Sequence, residues 1–122
     1  MINVGIDIIE IKRIQNVKSK YPDRFLKKIF TENEIIYCRN RSPQLAARFA
    51  AKEAMMKALG TGIRGVSWKD VEVIRYRGQA PQIKLSGRGE KVGERIGLKN
   101  ASLSISHSRE YAVACVTIET SK

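Results

Sequence analysis

Two cysteines in 122 residues, Cys38 and Cys115, exclude a disulfide framework. They lie far apart with no CxxC partner, and they read as reduced core residues of a cytosolic protein without a zinc role. No apolar run approaches the roughly 20 residues that a membrane helix needs. The opening MINVGIDIIEIKRI is not expected to be a signal peptide, because no basic region precedes its apolar run and Asp7, Glu10 and Lys12 interrupt it. Repeats, low-complexity tracts and linker-like stretches are also missing, so a single domain over residues 1–122 is expected. Acidic residues are scarce, with 12 Asp plus Glu against 23 Lys plus Arg, a net charge of +11. A chain so basic attracts a polyanion: nucleic acid, an acidic protein or a phosphate-rich metabolite. Charge alone does not choose among them.

What is present is an ordinary globular balance, with 43% hydrophobic and 29% charged residues. From Ile2 to Ile9, Ile2, Val4, Ile6 and Ile8 alternate with Asn3, Gly5 and Asp7, which is strand periodicity with an apolar face turned away from Asp7. Glu10 to Lys20 carries Ile11, Ile14 and Val17 at helical spacing and stops at Tyr21-Pro22, since the residue before proline avoids helical angles. Thr31 with Glu34 forms a capping box for a short helix to about Asn40. Ser42 and Pro43 supply an N-cap and first-turn proline for a helix from Pro43 to Leu59 that ends at Gly60. Val71–Tyr76 and Gln82–Leu85 are expected as strands joined around Gly78, Gly87–Ile96 as a helix weakened by Gly89 and Gly93, and Leu103–Ser108 with Tyr111–Glu119 as a hairpin. Strands at both ends with helices between predict an α+β fold.

Few residues invite chemistry, and each has an ordinary alternative. Asp7 sits in the most apolar stretch of the chain, where aspartate is depleted. It is either a cap for the helix near Glu10 or a hard oxygen ligand for a cation. Glu53 and Lys57 share a face of the long helix; four residues apart, they make either a solvated pair or part of a site, with Ala46 and Ala50 leaving room beside them. Gly60-Thr61-Gly62 is either a helix C-cap or a loop whose amides meet phosphate oxygens, and no Walker sequence follows it. His107 shares a strand face with Leu103 and Ile105, as a core side chain or one on the rim. Together these residues offer what phosphoryl transfer from a diphosphate requires: two carboxylates for Mg²⁺, cations against developing charge, and amides to orient phosphates.

The segments GIDIIEIKRI, RFAAKEAMMKALGTG and SISHSREYAVA resemble the bacterial holo-acyl-carrier-protein synthases, the short class of 4′-phosphopantetheinyl transferases, along nearly the whole chain. The resemblance implies that family's fold, a small antiparallel sheet against helices with one long central helix. It implies transfer of 4′-phosphopantetheine from coenzyme A to a serine of apo acyl carrier protein in fatty acid biosynthesis, releasing 3′,5′-ADP. By the same resemblance Asp7 and Glu53 are Mg²⁺ ligands that join the metal to the coenzyme A diphosphate, and Lys57 steadies the phosphate or the leaving nucleotide. Arg48, Gly60, Thr61, His107 and Ser108 line the coenzyme A site, and Arg13 and Arg24 dock the acidic carrier. The serine proton goes to Glu53, directly or through water, or else to Asp7. A cytoplasmic homotrimer with sites between protomers, His107 across from Asp7, completes the implied picture.

The sequence departs from relatives in a lead-in one residue short, in Ser108 where threonine is frequent, and in a shorter loop from Arg39 to Pro43. Two rival readings remain. A nucleic-acid-binding domain would cluster its basic residues with exposed aromatics, whereas here they are scattered and Trp68 is the only tryptophan. A non-catalytic subunit of a fatty acid or polyketide assembly would not need the polar set retained above. Neither nucleic acid nor membrane is therefore expected as a partner.

Overall fold

A computed structural model describes residues 1–121. Strand β1 (Ile2–Glu10) runs directly into helix α1 (Ile11–Lys20), and α2 (Pro22–Ile29) follows, opened by the same proline that closes α1. Next come α3 (Glu32–Cys38), the long α4 (Ser42–Leu59), a single turn α5 (Gly62–Gly65) and a 3₁₀ turn at Trp68–Asp70. A hairpin of β2 (Val71–Ile74) and β3 (Gln82–Leu85), then α6 (Gly87–Ile96) and a long hairpin of β4 (Leu98–His107) and β5 (Tyr111–Thr120), complete the chain. Two antiparallel sheets result, one ordered β1-β5-β4 and one of β2 and β3. The α+β expectation holds, and the long helix is indeed central.

Helix α4 lies across the larger sheet and is buried almost all round, its Arg48 and Lys52 included. Its Ala46, Ala50, Ala51, Ala54 and Ala58 meet Ala112, Ala114, Val116 and Ile118 of β5 in one core, small residues on both layers letting them close up. The Glu34 box forms as expected: Thr31 Oγ1 accepts from Glu34 N, and Thr31 N donates to Glu34 Oε1 at 2.9 Å. Glu34 does more than cap. Its Oε2 accepts from Val73 N at 2.8 Å, and its Oε1 lies 2.7 Å from Lys52 Nζ, both side chains fully buried. Lys52 also donates to the carbonyls of Trp68 and Val71. Burial pulls its pKa below the usual lysine value, opposed by the charge and hydrogen bond of Glu34.

Several expectations need correction. The apolar face of β1 is not the core face. Asn3, Gly5, Asp7 and Ile9 turn toward α4, while Ile2, Val4, Ile6 and Ile8 stand 59–67% exposed. Alternation revealed the strand but not which face another layer would cover. Ser42 is not an N-cap: Arg41 holds that position, and Ser42 Oγ instead accepts from Lys18 Nζ at 2.9 Å. Strand β4 begins at Leu98 rather than Leu103, β2 stops at Ile74, and α2 was not foreseen. Cys38 is core, whereas Cys115 lies half-buried on the outer sheet face, opposite Ile6. Both thiols are free.

Replacing Lys52 with alanine leaves Glu34 as a buried carboxylate without its cation, so urea unfolding should show a loss of about 3–5 kcal/mol. The double change Glu34→Leu with Lys52→Met should recover most of it, and a single-variant loss under about 1 kcal/mol would contradict this bracing role.

Candidate active site

The crossing of β1 over α4 creates the site. At Gly5 the strand lies so close to the helix that a Cβ would collide with the carbonyl oxygen of Ala54 and come within 2.8 Å of the Ala58 nitrogen. Only glycine permits that approach. Two residues on, the same face of β1 delivers Asp7, whose side chain is 11% exposed, to the edge of the helix. Lys57 Nζ donates to Asp7 Oδ1 at 3.2 Å and to the Ile6 carbonyl at 2.9 Å. Sequence spacing paired Lys57 with Glu53; its ion pair is with Asp7 of the strand instead.

Glu53, one helical turn before Lys57, shares this crossing. Its pKa is raised to about 7, first by burial, then by a hydrogen bond to Asp7 and the Asp7 charge, against the pull of Lys57 and Arg13. Two carboxyls held so near one another keep a proton between them, and a divalent cation relieves the same repulsion. Hard oxygen donors, in a number that leaves further positions to water or phosphate, fit Mg²⁺. Among the described residues no group of three or more His, Cys, Asp or Glu side chains is gathered, so two carboxylates are what the chain itself offers. Asp7 does not cap α1, since Glu10 holds that position without a side-chain hydrogen bond.

The other expected residues divide by location. Gly60 closes α4 at φ 80°, a left-handed angle that suits glycine. The amides of Gly60 and Thr61 donate to carbonyls of the last helical turn, at 3.1 Å to Lys57 O and 3.2 Å to Met56 O, and the Thr61 hydroxyl donates to Gly62 O. The expectation of free amides at these two residues is therefore not met; they are part of the helix cap. The room expected beside Ala46 and Ala50 is likewise filled, both being fully buried in the core.

His107 and Arg48 sit elsewhere, beyond β5, on the β4 side of α4. They line a cavity of about 300 Å³ with Tyr37 and Arg75. Arg48 is five residues before Glu53, about 140° away round the helix, and its guanidinium is 4.5 Å from the Tyr37 ring centroid. Ser108 shapes the β4–β5 turn, its Oγ accepting from Tyr111 N at 3.2 Å. Arg24 borders an apolar cavity of about 490 Å³ floored by Val17, Phe25, Phe49 and Trp68. Phe49 stacks on Trp68 at 4.9 Å, one turn before Glu53. That cavity escaped the sequence reading, because its walls come from three separate helices and the 3₁₀ turn.

The model of the 4′-phosphopantetheinyl transferase superfamily matches residues 3–116. The chain belongs to that superfamily. Among its relatives, a holo-[acyl-carrier-protein] synthase of Chlamydia trachomatis serovar D is 52% identical over 123 residues, covering 98% of this chain and 100% of the relative. The crystal structure of Helicobacter pylori holo-[acyl-carrier-protein] synthase in complex with coenzyme A is 33% identical, with a TM-score of 0.88, over 95% of this chain and 99% of that one. The enzyme of Neisseria meningitidis is 34% identical with a TM-score of 0.90, over 98% and 100%. The phosphopantetheinyl transferase fold thus accounts for the α+β architecture and for all three quoted segments together.

In the metal-free transferase Glu53 should titrate near pH 7 by carbon-detected NMR, and Asp7→Asn should return it toward the ordinary 4.5. Because the folded value lies above the unfolded one, this group's contribution to stability is present below about pH 4.5 and lost as pH rises through about 7. A Glu53 titration unchanged by Asp7→Asn would refute the shared proton.

Proposed function

We propose that residues 1–122 act as one cytoplasmic transferase domain that moves 4′-phosphopantetheine from coenzyme A to a serine of an acidic acyl carrier protein in fatty acid biosynthesis, with Mg²⁺, releasing 3′,5′-ADP. The observation that carries this reading is the meeting of Asp7, Glu53 and Lys57 where β1 crosses α4, within a chain of this superfamily. The serine oxygen bonds to the phosphorus bearing the pantetheine arm as the bridging P–O bond breaks. The electron pair leaves on the nucleotide, and the serine proton passes to Glu53. Asp7, held by Lys57, orients its partner in this reading. Lys57, more than half exposed, is free to swing its ammonium toward the charge on the departing phosphate. Mg²⁺, held by Asp7 and Glu53 when bound, supplies neutralisation of diphosphate charge.

Carrier docking falls to the basic surface. Arg24 and Lys28 stand at the rim of the apolar cavity that ends one turn from Glu53, a combination that fits an acidic helix presenting a few apolar side chains. Arg13 is close enough to act on Glu53, so a carrier held there has its serine near the base. Lys18 is otherwise engaged, tying the α3–α4 loop through Asn40 O and Ser42 Oγ.

Assembly into a homotrimer is part of the same proposal. Ile2, Val4, Ile6 and Ile8 form an exposed apolar strip that continues across β5 at Val113, Cys115 and Thr117. Such a strip on a single chain calls for a covering surface. Strand order also puts Asp7 on one edge strand and His107 on the other, so neither edge of one chain holds the full set. Contact between copies would unite the β1 half of one with the β4 half of another.

Intact-mass spectrometry of an apo carrier protein with this chain, coenzyme A and Mg²⁺ should show the gain of one phosphopantetheine, lost with EDTA and with Glu53→Gln. No gain across several carriers would remove the enzymatic reading. Light scattering should give a trimer mass, and Ile6→Lys should shift it to a smaller species; a wild-type monomer would overturn the assembly.

A further inference from the structure

Helix α1 places a lysine where its sequence pattern calls for an apolar residue. Ile11 and Ile14 are buried, and Lys18 continues their stripe at helical spacing. It is half-buried, while its neighbours Val17 and Ser19 are exposed. Its ammonium donates to the Asn40 carbonyl at 2.8 Å and to Ser42 Oγ at 2.9 Å. Among the described residues the ion pairs are Lys52–Glu34 and Lys57–Asp7, so no carboxylate holds Lys18. The cation is committed to neutral oxygens, and both lie in the connection between α3 and α4.

That connection is strained. Among the described residues, Arg39 (φ 50°) and Asn40 (φ 60°) are the only non-glycine residues with left-handed backbone, and they are consecutive. Asparagine tolerates this region, but Arg39 closes α3 at a position that glycine ordinarily takes. Such a conformation persists only where its surroundings over-determine it. Two side chains do so here. Arg41 donates back to the carbonyls of Cys38 at 2.8 Å and Tyr37 at 2.9 Å, bonds that stay within the connection. Lys18 reaches from another helix to the second left-handed residue and to the first residue of α4. On either side of the connection stand Tyr37 and, within α4, Gln44 and Arg48, which line one cavity.

We propose that Lys18 is a positioning residue for the transfer reaction: it latches the α3–α4 connection in its left-handed form and so sets the KM for the donor. This rests on the reading of coenzyme A as donor, with Tyr37 and Arg48 in its site. Without the ammonium, Arg39 and Asn40 relax toward ordinary angles, and the start of α4 shifts against Tyr37. Affinity for the donor falls as the competent arrangement becomes a smaller fraction of the population. The chemical step is spared, because Glu53 lies eleven residues beyond Ser42, about 16 Å along the helix. Lys18 therefore acts on donor binding alone, through Asn40 and Ser42.

Hydrogen exchange and transfer kinetics of the full chain test this together. In Lys18→Met the Arg41 and Leu45 amides, which donate to Cys38 O and Arg41 O, should exchange about tenfold faster or more. The Gly60 and Thr61 amides at the far end of α4 should be unchanged, which shows that the variant is folded. With apo carrier and Mg²⁺, Lys18→Met should raise the coenzyme A KM about three- to tenfold, with kcat and the carrier KM within about twofold. Lys18→Arg should keep most of the wild-type KM. Arg39→Gly, which eases the left-handed turn, should restore the KM of Lys18→Met. Unchanged exchange at Arg41 and Leu45 would overturn the latch. A rise confined to the carrier KM would overturn the positioning role and make Lys18 a carrier contact. Absence of transfer by the wild type would sink the enzymatic reading and the kinetic role with it, whereas transfer with an unmoved coenzyme A KM would sink the role of Lys18 alone.

Discussion

The meeting of Asp7, Glu53 and Lys57 depends on how closely β1 can lie on α4. Were the strand held off by even one methyl group at Gly5, its backbone would have to lift from the Ala54 carbonyl, and Asp7 two residues later would lift with it. The carboxyl hydrogen bond to Glu53 and the 3.2 Å contact with Lys57 both require that approach. The helix contributes its own part through alanines at its sheet-facing positions, and β5 contributes Ala112 and Ala114. A pair of carboxyls is costly to hold together. Here the cost is borne by a strand–helix contact that glycine at position 5 allows, the kind of preorganisation that the proposed diphosphate chemistry would use.

The opposite flank of α4 is fixed by other means. Lys52 and Glu34 form a charged brace inside the protein, joining α4 to α3, to the 3₁₀ turn and to β2 through a few hydrogen bonds. Such a pair adds little net stability over apolar residues of the same shape, but it fixes geometry because neither partner can move without stranding the other. What it fixes is useful. The brace holds β2, which stops at Ile74 just before Arg75; it holds the N-terminus of α3, and α3 carries Tyr37. Along one helix, then, cations serve three ends: Lys52 is neutralised within the core, Lys57 is paired at the surface, and Arg48 is buried facing an acid-free cavity. The sequence block holding all three reads as a single motif, though its members point to different neighbours.

Much of this was legible in the residues. The capping box at Thr31 and Glu34, the glycine end of α4, and the strand carrying Asp7 are local signals, and local signals survive folding because few distant contacts compete with them. What was not legible is pairwise and distant. Nothing in the spacing shows that Lys57 prefers Asp7 to Glu53, that Glu34 reaches Val73, or that Lys18 takes the hydroxyl of Ser42 from its capping role. Arg75 escaped for the same reason: it has no periodic partner, and its place in the cavity wall with Arg48 arises only where the hairpin end comes against α3 and α4. The resemblance to holo-acyl-carrier-protein synthases named Arg48 and His107 as residues that line the coenzyme A site.

The misjudged face of β1 carries the most physical information of these differences. Period-two alternation identifies the two faces of a strand, and hydrophobicity usually assigns the apolar one to the core. In β1 that assignment fails because the inner face must be small and polar to bring a backbone near α4 and a carboxyl near Glu53. The aliphatic residues are left to the outside. An apolar strip of that kind is at odds with a lone chain in water, and at ease with a chain whose second core is shared with copies of itself. In the proposed function the same strand would answer to two demands, chemistry on its inner face and association on its outer one. Since Asp7 and His107 lie on opposite edges of the sheet, the association that covers the aliphatic strip would also be what completes the site.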